Sequence, residues 1–344
     1  MTDSRQVVQQ ALAGEPTART ATGPLAVHYC ARLGGVSLRH YTTDARTLAD
    51  CVVRYYERFQ PDAVCVSADT WVTAQAMGAH VGFPNDDQPM GGVGEPVIQS
   101  LADLDRIPPP DVVSQGRWPL VIEALKRIED ALSGRAFVVA CFDQYPFSLA
   151  CALMGMQQVM TGILEDRRLI GALMDRCCEY SQAYAVALAA AGADSLSGGD
   201  SPAGLLGPRL YREVALPAEQ RVIRGIRCHT TVPISLHICG NATPILVDMA
   251  ASGADVLELD HQVDLEQACR ILGPDVAIWG NLDPVAVLAR GSVDEVTQAV
   301  RRLLQTVREC GHRRFVLSSG CTLAMETPAE NLEAMLRAAR PAVA

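Results

Sequence analysis

Short apolar segments alternate with longer amphipathic segments along most of the chain. The apolar segments that have the length and flanking residues of buried strands are Pro24–Tyr29, Asp62–Ala68, Phe137–Phe142, Ala193–Ser197, Val232–Ile238, Asp255–Asp260, Val276–Gly280 and Arg314–Ser318. Segments that repeat apolar residues with a period of about 3.6, and so predict helices, are Leu48–Phe59, Leu169–Ala191 and Val293–Glu309. Strands that alternate with helices indicate a parallel sheet with helical crossovers.

Eight such strand–helix units predict a single (β/α)8 barrel, a TIM barrel, over residues 1–344. The alternative is a doubly wound open sheet, but the sequence has no glycine-rich phosphate-binding loop after the first predicted strand. Residues 1–22 are interpreted as an N-terminal helical extension. Residues 82–111, rich in Pro, Gly and Asp, predict a long loop excursion after the second strand. In a barrel, such loops form the mouth of the active site.

Composition and charge favour a globular protein with a large core and argue against some classes of partner. Hydrophobic residues make up 49% of the 344 residues, which is enough for a large core, and the formal net charge of -10 argues against nucleic-acid or anionic-membrane partners. The sequence has no secretory signal at its start, and no apolar run reaches the roughly 18 residues of a membrane span. We therefore expect a cytoplasmic protein in which most of the 12 cysteines are buried small hydrophobic side chains.

His237 and Cys239 come at the end of the fifth predicted strand, in the segment Ser235–Asn241. The two-residue repeat of a strand places both side chains on one face. An imidazole and a thiolate together suit a borderline-soft metal such as zinc. An isolated His-x-Cys pair is a weak motif, however, because a core cysteine beside a strand-end histidine gives the same pattern.

Cys321 strengthens the metal hypothesis, since it follows the last predicted strand after a glycine. The carboxyl ends of all barrel strands open on one face, so Cys321 is expected to lie close to Cys239 despite their distance in sequence. Three protein ligands with a fourth position available are typical of catalytic zinc sites.

Glu258 and Asp260 alternate onto one face of the sixth predicted strand. A buried carboxylate without a partner is costly, so a metal, an arginine or a bound substrate is needed to balance each one. Either residue is therefore a candidate for the fourth zinc ligand.

Three further polar residues follow predicted strands and are candidates for contact with a substrate or cofactor. Asp69 closes the second strand, Asp200 closes the fourth, and Asn281 follows the seventh. For each aspartate the structural alternative is an N-cap of the next helix, and Pro202 supports such a helix start after Asp200. The Asp-Pro step after Asn281 is also typical of a turn.

Other barrel and hydrolase chemistries find little support in the sequence. A Schiff-base aldolase needs an active-site lysine, and Lys126, the only lysine, falls in the amphipathic segment Val121–Leu132. The Gly-x-Ser-x-Gly motif of serine hydrolases does not occur.

The chain resembles the uroporphyrinogen decarboxylase superfamily, and within it the methyltransferase branch that includes methylcobamide:coenzyme M methyltransferases. The segments that carry the resemblance are Val7–Glu15, Tyr56–Phe59, Asp62–Val64, Ala191–Asp194, His237–Pro244, Gly280–Pro284, Ser319–Cys321 and Thr327–Asn331. The specific part is His-x-Cys-Gly together with the later Gly-Cys. In that branch these side chains resemble the zinc ligands, here His237, Cys239 and Cys321, with a carboxylate ligand near Asp260 or Glu258.

The resemblance implies a zinc-dependent methyltransferase that uses a corrinoid, cobalamin, bound to a small partner protein. The other reactant would be a small-molecule methyl donor or acceptor: a thiol, tetrahydrofolate, or a methylated or methoxylated compound. An oligomer is compatible with this function. Two alternatives stay open, a decarboxylase and a catalytically inert zinc-binding barrel. The decarboxylases carry an arginine-rich loop after the first strand, and the corresponding segment Tyr29–Gly35 contains Arg32 alone.

Overall fold

The computed structural model describes residues 3–91 and 95–340. Its strands are β1 (Ala21–Thr22), β2 (Ala63–Val66), β3 (Val81–Gly82), β4 (Met90–Gly91), β5 (Phe137–Gln144), β6 (Ser195–Gly199), β7 (Ser235–Ile238), β8 (Val256–Leu259), β9 (Ala277–Leu282) and β10 (Phe315–Ser319). All except β3 and β4 form an eight-stranded parallel sheet in the order β1, β10, β9, β8, β7, β6, β5, β2. Helices lie between the strands, so the fold is the predicted (β/α)8 barrel.

The helices cover the outside of this barrel. They are α1 (Ser4–Ala13), α2 (His28–Gly34), α3 (Leu38–Thr43), α4 (Ala45–Phe59), α5 (Val72–Ala76), α6 (Leu101–Leu104), α7 (Trp118–Leu132), α8 (Pro146–Met154), α9 (Met156–Glu165), α10 (Arg167–Ala190), α11 (Gly207–Leu210), α12 (Leu216–Arg227), α13 (Leu246–Ala250), α14 (Leu265–Leu272), α15 (Val293–Glu309) and α16 (Ala329–Ala338). Short 3-10 segments span Ser201–Leu206 and Thr243–Ile245, and π-helical turns span Tyr211–Ala215 and Pro284–Ala289. The three helices expected from periodicity correspond to α4, α10 and α15.

Local capping explains why α15 begins where the sequence predicts. The Glu295 backbone N–H donates to Ser292 Oγ over 3.3 Å, and the Ser292 N–H donates to the Glu295 carboxylate over 2.7 Å. This reciprocal capping box satisfies backbone donors at the helix start. Val296 and Val300 then bury one face of the helix.

Two layers of apolar side chains hold the barrel together. The larger core lies mainly between the strands and the surrounding helices. A smaller core gathers residues of α1, such as Val7 and Val8, with strand residues such as Phe137, Trp279 and Val316. The helix α1 therefore packs against the amino-terminal end of the barrel and leaves the carboxyl end for the site.

The end strands β1 and β2 are joined through a side chain. Asp62, just before β2, accepts hydrogen bonds from the Thr22 backbone N–H over 3.0 Å and from Thr22 Oγ1 over 2.9 Å. Arg19 forms an ion pair with the same carboxylate. The ends of the strand series are thereby held together.

The predicted first strand, Pro24–Tyr29, is wrong in position. The strand is Ala21–Thr22, and Tyr29 lies inside α2. Pro24 has no backbone N–H to donate to a neighbouring strand, which explains why the ladder stops before it. Residues 1–22, interpreted as a helical extension, contain both α1 and this strand.

The predicted excursion, residues 82–111, contains part of the antiparallel β3–β4 hairpin and the short helix α6. Residues 92–94 of this excursion lie outside the described residues, as do residues 1–2 and 341–344.

All 12 cysteines are free thiols. In the described ranges no single helix is long and apolar enough to cross a membrane; α8 and α9 meet that test only as a pair, bent by 107°.

Candidate metal centre

Three side chains of the metal-ligand type converge at the carboxyl ends of β7 and β10. His237 lies in β7, Cys239 follows that strand directly, and Cys321 follows β10 after one glycine. His237 Nε2 is 3.0 Å from Cys239 Sγ, and the Sγ atoms of Cys239 and Cys321 are 3.7 Å apart. All three ligand atoms lie within 4.8 Å of one another. The fold thus brings together the three ligands that the sequence suggested.

The spacing of the two sulfur atoms suits a tetrahedral zinc ion. Two sulfurs bound at about 2.3 Å to one tetrahedral ion lie about 3.8 Å apart. The sulfurs of Cys239 and Cys321 are separated by 3.7 Å. One imidazole and two thiolates are also a donor set known from catalytic zinc sites, in which a fourth position stays open for water or substrate. The residues present therefore fit zinc.

The imidazole of His237 is oriented from the neighbouring strand. Its Nδ1 lies 2.9 Å from the carbonyl oxygen of Glu258, the residue paired with it in the β7–β8 register. The proton on Nδ1 donates to this carbonyl, so Nε2 is the nitrogen that faces the sulfurs. Partners of this kind fix the tautomer and orientation of metal-binding histidines.

The loop that carries Cys239 is held on both sides. The Cys239 backbone N–H donates to Ser201 Oγ over 3.3 Å, and the next N–H, of Gly240, donates to Asp260 Oδ2 over 2.9 Å. Gly240 has a φ of +83°, in the left-handed region that favours glycine. The chain can therefore turn sharply just after the ligand.

The loop of Cys321 depends on a close backbone approach. The Gly320 N–H donates to the Leu282 carbonyl over 2.7 Å. A Cβ atom on Gly320 would lie 2.3 Å from the backbone nitrogen of His261. Only glycine allows this approach, which brings Cys321 against the β7 ligands.

The three side chains shift one another's pKa values. A hydrogen bond with Cys321 lowers the pKa of Cys239 to about 7, while the same bond raises the pKa of Cys321 to about 12. Burial acts to lower the pKa of His237, but its hydrogen bond with Cys321 and the charge of Glu258 outweigh burial and raise it to about 9. Of the two thiols, Cys239 therefore loses its proton more readily near neutral pH.

The two predicted carboxylate candidates lie beside the ligand cluster. Glu258 accepts a hydrogen bond from the Ser235 hydroxyl. Asp260 accepts the Gly240 N–H, and its Oδ1 lies 3.0 Å from Nδ1 of His261. Among the described residues, neither joins the group whose ligand atoms all lie within 4.8 Å of one another. Glu258 lines a cavity next to the cluster. Asp260 supports the loop that carries Cys239 and Gly240, which is the metal loop.

A cavity of about 310 Å³ opens at this end of the barrel, and the three ligand residues form part of its wall. Leu25, Val27 and Pro202 contribute apolar surface to it. None of the described residues that line it is a lysine or an arginine. The volume is near the lower end for small-molecule sites.

Asp69 lies in the cavity wall, but its carboxylate is already bound by an arginine. Arg117 Nη2 donates to Asp69 Oδ1 over 3.0 Å, and Arg117 Nη1 pairs with the other oxygen. The Trp71 N–H also donates to Asp69 Oδ1, over 2.8 Å. Both partners of this bidentate pair are buried. Contact between Asp69 and a substrate therefore stays a prediction.

Asp143 also lines the cavity, and the sequence reasoning did not select it. It is 2% exposed, and its Oδ2 accepts the Thr73 N–H over 2.7 Å and the Thr73 hydroxyl over 3.0 Å. Burial, aided by the charge of Asp69, raises the pKa of Asp143 to about 8. The available signal was a polar residue directly after an apolar strand segment, the same signal that selected Asp69.

Asp200 is fully buried and is absent from the described lining of the cavity. The Ser148 N–H donates to its Oδ1 over 2.7 Å, and it is hydrogen-bonded to the buried carboxyl of Glu219. Tyr211 donates to Glu219 over 2.6 Å. Burial raises the pKa of both carboxyl groups. The predicted N-cap alternative does not hold for the Asp200 side chain, which makes no capping hydrogen bond.

Asn281 directs its amide toward the chain rather than the cavity. Its Nδ2 donates to the carbonyl of Val263 over 2.8 Å and to that of Asp260 over 3.1 Å. It thereby steadies the segment after β8 that supports the metal loop. A direct contact between Asn281 and ligand stays a prediction.

Sequence comparison relates the whole chain to one family. The family model for uroporphyrinogen decarboxylase (URO-D) matches residues 3–341. A methylcobamide:CoM methyltransferase of Methanosarcina mazei is 30% identical over 284 residues, which cover 81% of this chain and 79% of the relative. A uroporphyrinogen decarboxylase of Pelobacter propionicus is 30% identical over 282 residues, which cover 80% of this chain and 79% of the relative.

Comparison with solved structures also relates the chain to a methyltransferase. A methyltransferase from Methanosarcina mazei superposes with a TM-score of 0.88 at 26% identity, and the match covers 98% of both chains. A B12-independent methionine synthase from Shewanella sp. W3-18-1 superposes with a TM-score of 0.59 at 14% identity, over 93% of this chain and 96% of that one. The second likeness concerns the fold alone.

Proposed function

The chain belongs to the uroporphyrinogen decarboxylase family, and on that premise we propose that it is a zinc-dependent methyltransferase. It would move a methyl group between a corrinoid carried by a partner protein and a small-molecule donor or acceptor. The observation that carries this proposal is the convergence of His237, Cys239 and Cys321 at the wall of a cavity. When bound there, zinc would act as a Lewis acid that keeps a coordinated thiol deprotonated at neutral pH.

The chain's own groups prepare this site for methyl transfer. The Glu258 carbonyl keeps the Nε2 lone pair of His237 directed at the sulfurs. Asp260 and Ser201 fix the backbone on either side of the Cys239 peptide, so the ligand positions are set before a substrate enters. Apolar groups such as Leu25 and Val27 limit water in the cavity. A thiolate with less water around it is a stronger nucleophile toward a methyl group.

A corrinoid partner is supported by the names of the relatives. The relatives include methyltransferases whose names specify a methylcobamide. The methyl group would be exchanged between the docked corrinoid and a reactant in the cavity.

Decarboxylation of uroporphyrinogen is the second candidate, because several relatives bear that name. Its substrate carries many carboxylates, which require cationic side chains for binding. Among the described residues none that lines the cavity is a lysine or an arginine, and Arg117 is engaged by Asp69. Arg32 donates to the Met325 carbonyl. These placements favour methyl transfer.

The test uses the purified full-length protein, loaded with zinc, with methylcobalamin as methyl donor and 2-mercaptoethanol as acceptor. Corrinoid absorbance reports demethylation, and mass spectrometry of the thiol reports the methylated product. We expect turnover that stops when a chelator removes the metal and returns when zinc is added. A parallel assay with uroporphyrinogen should give no coproporphyrinogen.

Three outcomes would contradict the proposal. Full methyl transfer after removal of the metal would exclude a zinc mechanism. Conversion of uroporphyrinogen at about 1 per second or faster, a typical enzyme turnover, would instead assign the chain to the decarboxylases. A protein that holds zinc tightly but turns over neither substrate, nor any methylated amine or ether, would support the inert-barrel alternative.

A further inference from the structure

Asp143 occupies an unusual position in the wall of the cavity. Strand β5 shifts its register against β6 between Cys141 and Gln144, and Asp143 within this bulge has a φ of +67°. A bulge redirects a side chain, and a left-handed backbone is uncommon at a non-glycine residue. The irregular strand thus brings a carboxyl group to the cavity that a regular strand would aim elsewhere.

One oxygen of this carboxyl group is without a partner. Thr73 holds Oδ2 with two hydrogen bonds, whereas Oδ1 is buried and has no hydrogen-bond partner among the described residues. Unsatisfied buried polar atoms are costly, and in native proteins they mark places where a ligand or water completes the site. Since Asp143 lines the cavity, a substrate can supply the missing partner.

The charges around the cavity limit what that partner can be. Asp69 is neutralised by Arg117, while Glu258 faces the cavity with a hydroxyl partner and no ion pair in the described part of the chain. Burial lowers the pKa of His28, the one lining histidine outside the ligand cluster, so it is mostly neutral at pH 7. Apart from the bound metal, the described wall therefore offers acidic and neutral groups and no permanent cation.

We propose that the cavity selects a reactant whose polar end is a hydroxyl or an amine rather than an anion, and that Asp143 Oδ1 binds this end. The inference rests on the proposed function, because it names the substrate class of the same site. Asp143 is in this view a specificity-determining residue, and the metal cluster binds the reacting end.

The chemistry of the carboxyl group fits this class. With a pKa raised to about 8 by burial, Asp143 is mostly protonated at pH 7 and can donate to a hydroxyl oxygen. In its ionised form it accepts from a hydroxyl or pairs with an ammonium. A sulfonate or carboxylate would have to lose its hydration shell without meeting a cation, and it would face the charge of Glu258. The wall therefore disfavours anions in both protonation states of Asp143.

The experiment compares three thiols that share a two-carbon chain: 2-mercaptoethanol, 2-mercaptoethylamine and 2-mercaptoethanesulfonate. Isothermal calorimetry measures their affinity for the zinc-loaded full-length protein, and methylcobalamin demethylation is followed in parallel. Because each thiol presents the same sulfur to the metal, differences in affinity reflect how the protein binds the polar end of the thiol. The variants are Asp143→Asn and the matched control Asp130→Asn, which makes the same change at an exposed position of α7.

In the wild type we expect the hydroxyl and amine compounds to bind at least about tenfold more tightly than the sulfonate, a difference of about 1.4 kcal/mol. Asp143→Asn should reduce the advantage of the amine over the sulfonate by about tenfold, and Asp130→Asn should keep the wild-type order. Circular dichroism checks folding. If Asp143→Asn does not fold, the wild-type order of the three thiols still decides the substrate class.

The inference is overturned if the sulfonate binds as tightly as the other thiols, if a folded Asp143→Asn keeps the full wild-type advantage of the amine over the sulfonate, or if none of the thiols binds. Failure of the proposed function gives a different result. The predicted order would then appear in calorimetry, and Asp143→Asn would change it, but no thiol would be methylated by methylcobalamin.

Discussion

The Nδ1 atom of His237 lies 2.9 Å from the carbonyl oxygen of Glu258 on the adjacent strand. The partner is a backbone atom, so the orientation of the imidazole depends on the register of β7 against β8 rather than on another side chain. The Cys321 ligand, in contrast, is set by the loop after β10. The candidate zinc site thus combines one ligand fixed by the sheet with a second that a loop must deliver.

Replacing Cys321 with alanine should remove most bound zinc without unfolding the barrel. The residue lies on a loop outside the core clusters, whereas its sulfur is one of three ligand atoms. Loss of a thiolate from a three-ligand site removes a large part of the binding free energy. Metal content by mass spectrometry, circular dichroism and methyl transfer should be measured together.

Cys228→Ala is the matched control, because Cys228 is an exposed free thiol at the end of α12. It should keep full zinc and full activity. If Cys321→Ala also keeps both, Cys321 is a packed thiol rather than a ligand, and the central proposal is wrong.

Asp260→Ala tests whether this carboxylate positions the metal loop or binds the metal. The side chain accepts the N–H groups of Gly240 and Gln262, each over 2.9 Å. Loss of an outer partner of this kind typically lowers metal affinity about 10- to 100-fold. We therefore expect weaker zinc binding in a competition titration with a chelator, but not the loss expected for Cys321→Ala.

Asp275→Ala, at an exposed position, should leave zinc affinity unchanged. An Asp260→Ala protein as metal-free as Cys321→Ala would indicate that Asp260 is itself a ligand. Unchanged affinity would show that the loop keeps its shape without this carboxylate.

The sequence was sufficient to predict the barrel and the proximity of the three candidate ligands, His237, Cys239 and Cys321. Apolar strands alternating with helices specify parallel β/α units, and residues just past the strand ends must then meet at one face. That rule brought Cys239 and Cys321 together across 82 residues. The first strand was predicted at the wrong position because Ala21–Thr22 is too short to show a repeat, while the longer apolar segment after it enters a helix.

The roles of the buried carboxylates could not be read from the sequence, since they depend on partners far away in the chain. Asp69 meets Arg117 across 48 residues, and the buried carboxyl of Asp200 lies beside that of Glu219. Asp143 directly follows the predicted strand Phe137–Phe142, as Asp69 follows its own, but the sequence does not show that its side chain reaches the cavity. The bulge that carries Asp143 inward has no marker in a single sequence.

Arg117→Ala should destabilise the protein strongly. Arg117 and Asp69 form a buried bidentate pair, so the variant leaves the Asp69 carboxylate uncompensated. Breaking one side of a buried ion pair typically costs about 3–5 kcal/mol in the free energy of unfolding. Urea denaturation measures this change.

The exposed pair Arg46–Asp50, with 3.7 Å between nitrogen and oxygen, provides the control. Arg46→Ala should change the free energy of unfolding by less than about 1 kcal/mol. Equal effects of the two substitutions would mean that the buried pair contributes no more than a surface contact.

Asp143→Asn should make the stability of the protein less sensitive to pH. In the folded protein burial raises the pKa of Asp143 to about 8, from an ordinary value of 3.8. Between these two pH values the unfolded chain loses the proton while the folded protein keeps it. The unfolded state therefore binds fewer protons, and the free energy of unfolding falls as pH rises, by up to about 1.4 kcal/mol per pH unit for this group. Above both values the contribution stays constant. Asparagine resembles the protonated carboxyl in shape and charge, and it does not titrate.

The measurement is urea denaturation at pH 5.5 and pH 8, with chelator present throughout so that metal binding does not contribute to the slope. Wild type and Asp130→Asn should lose more stability over this interval than Asp143→Asn does. The difference is expected to be about 1 kcal/mol or more, in line with a carboxyl that stays protonated across much of the interval. Equal losses in all three proteins would mean that Asp143 is ionised in the folded state. A second charge would then face the cavity beside Glu258, and an ammonium rather than a hydroxyl would be the group that Asp143 binds most tightly.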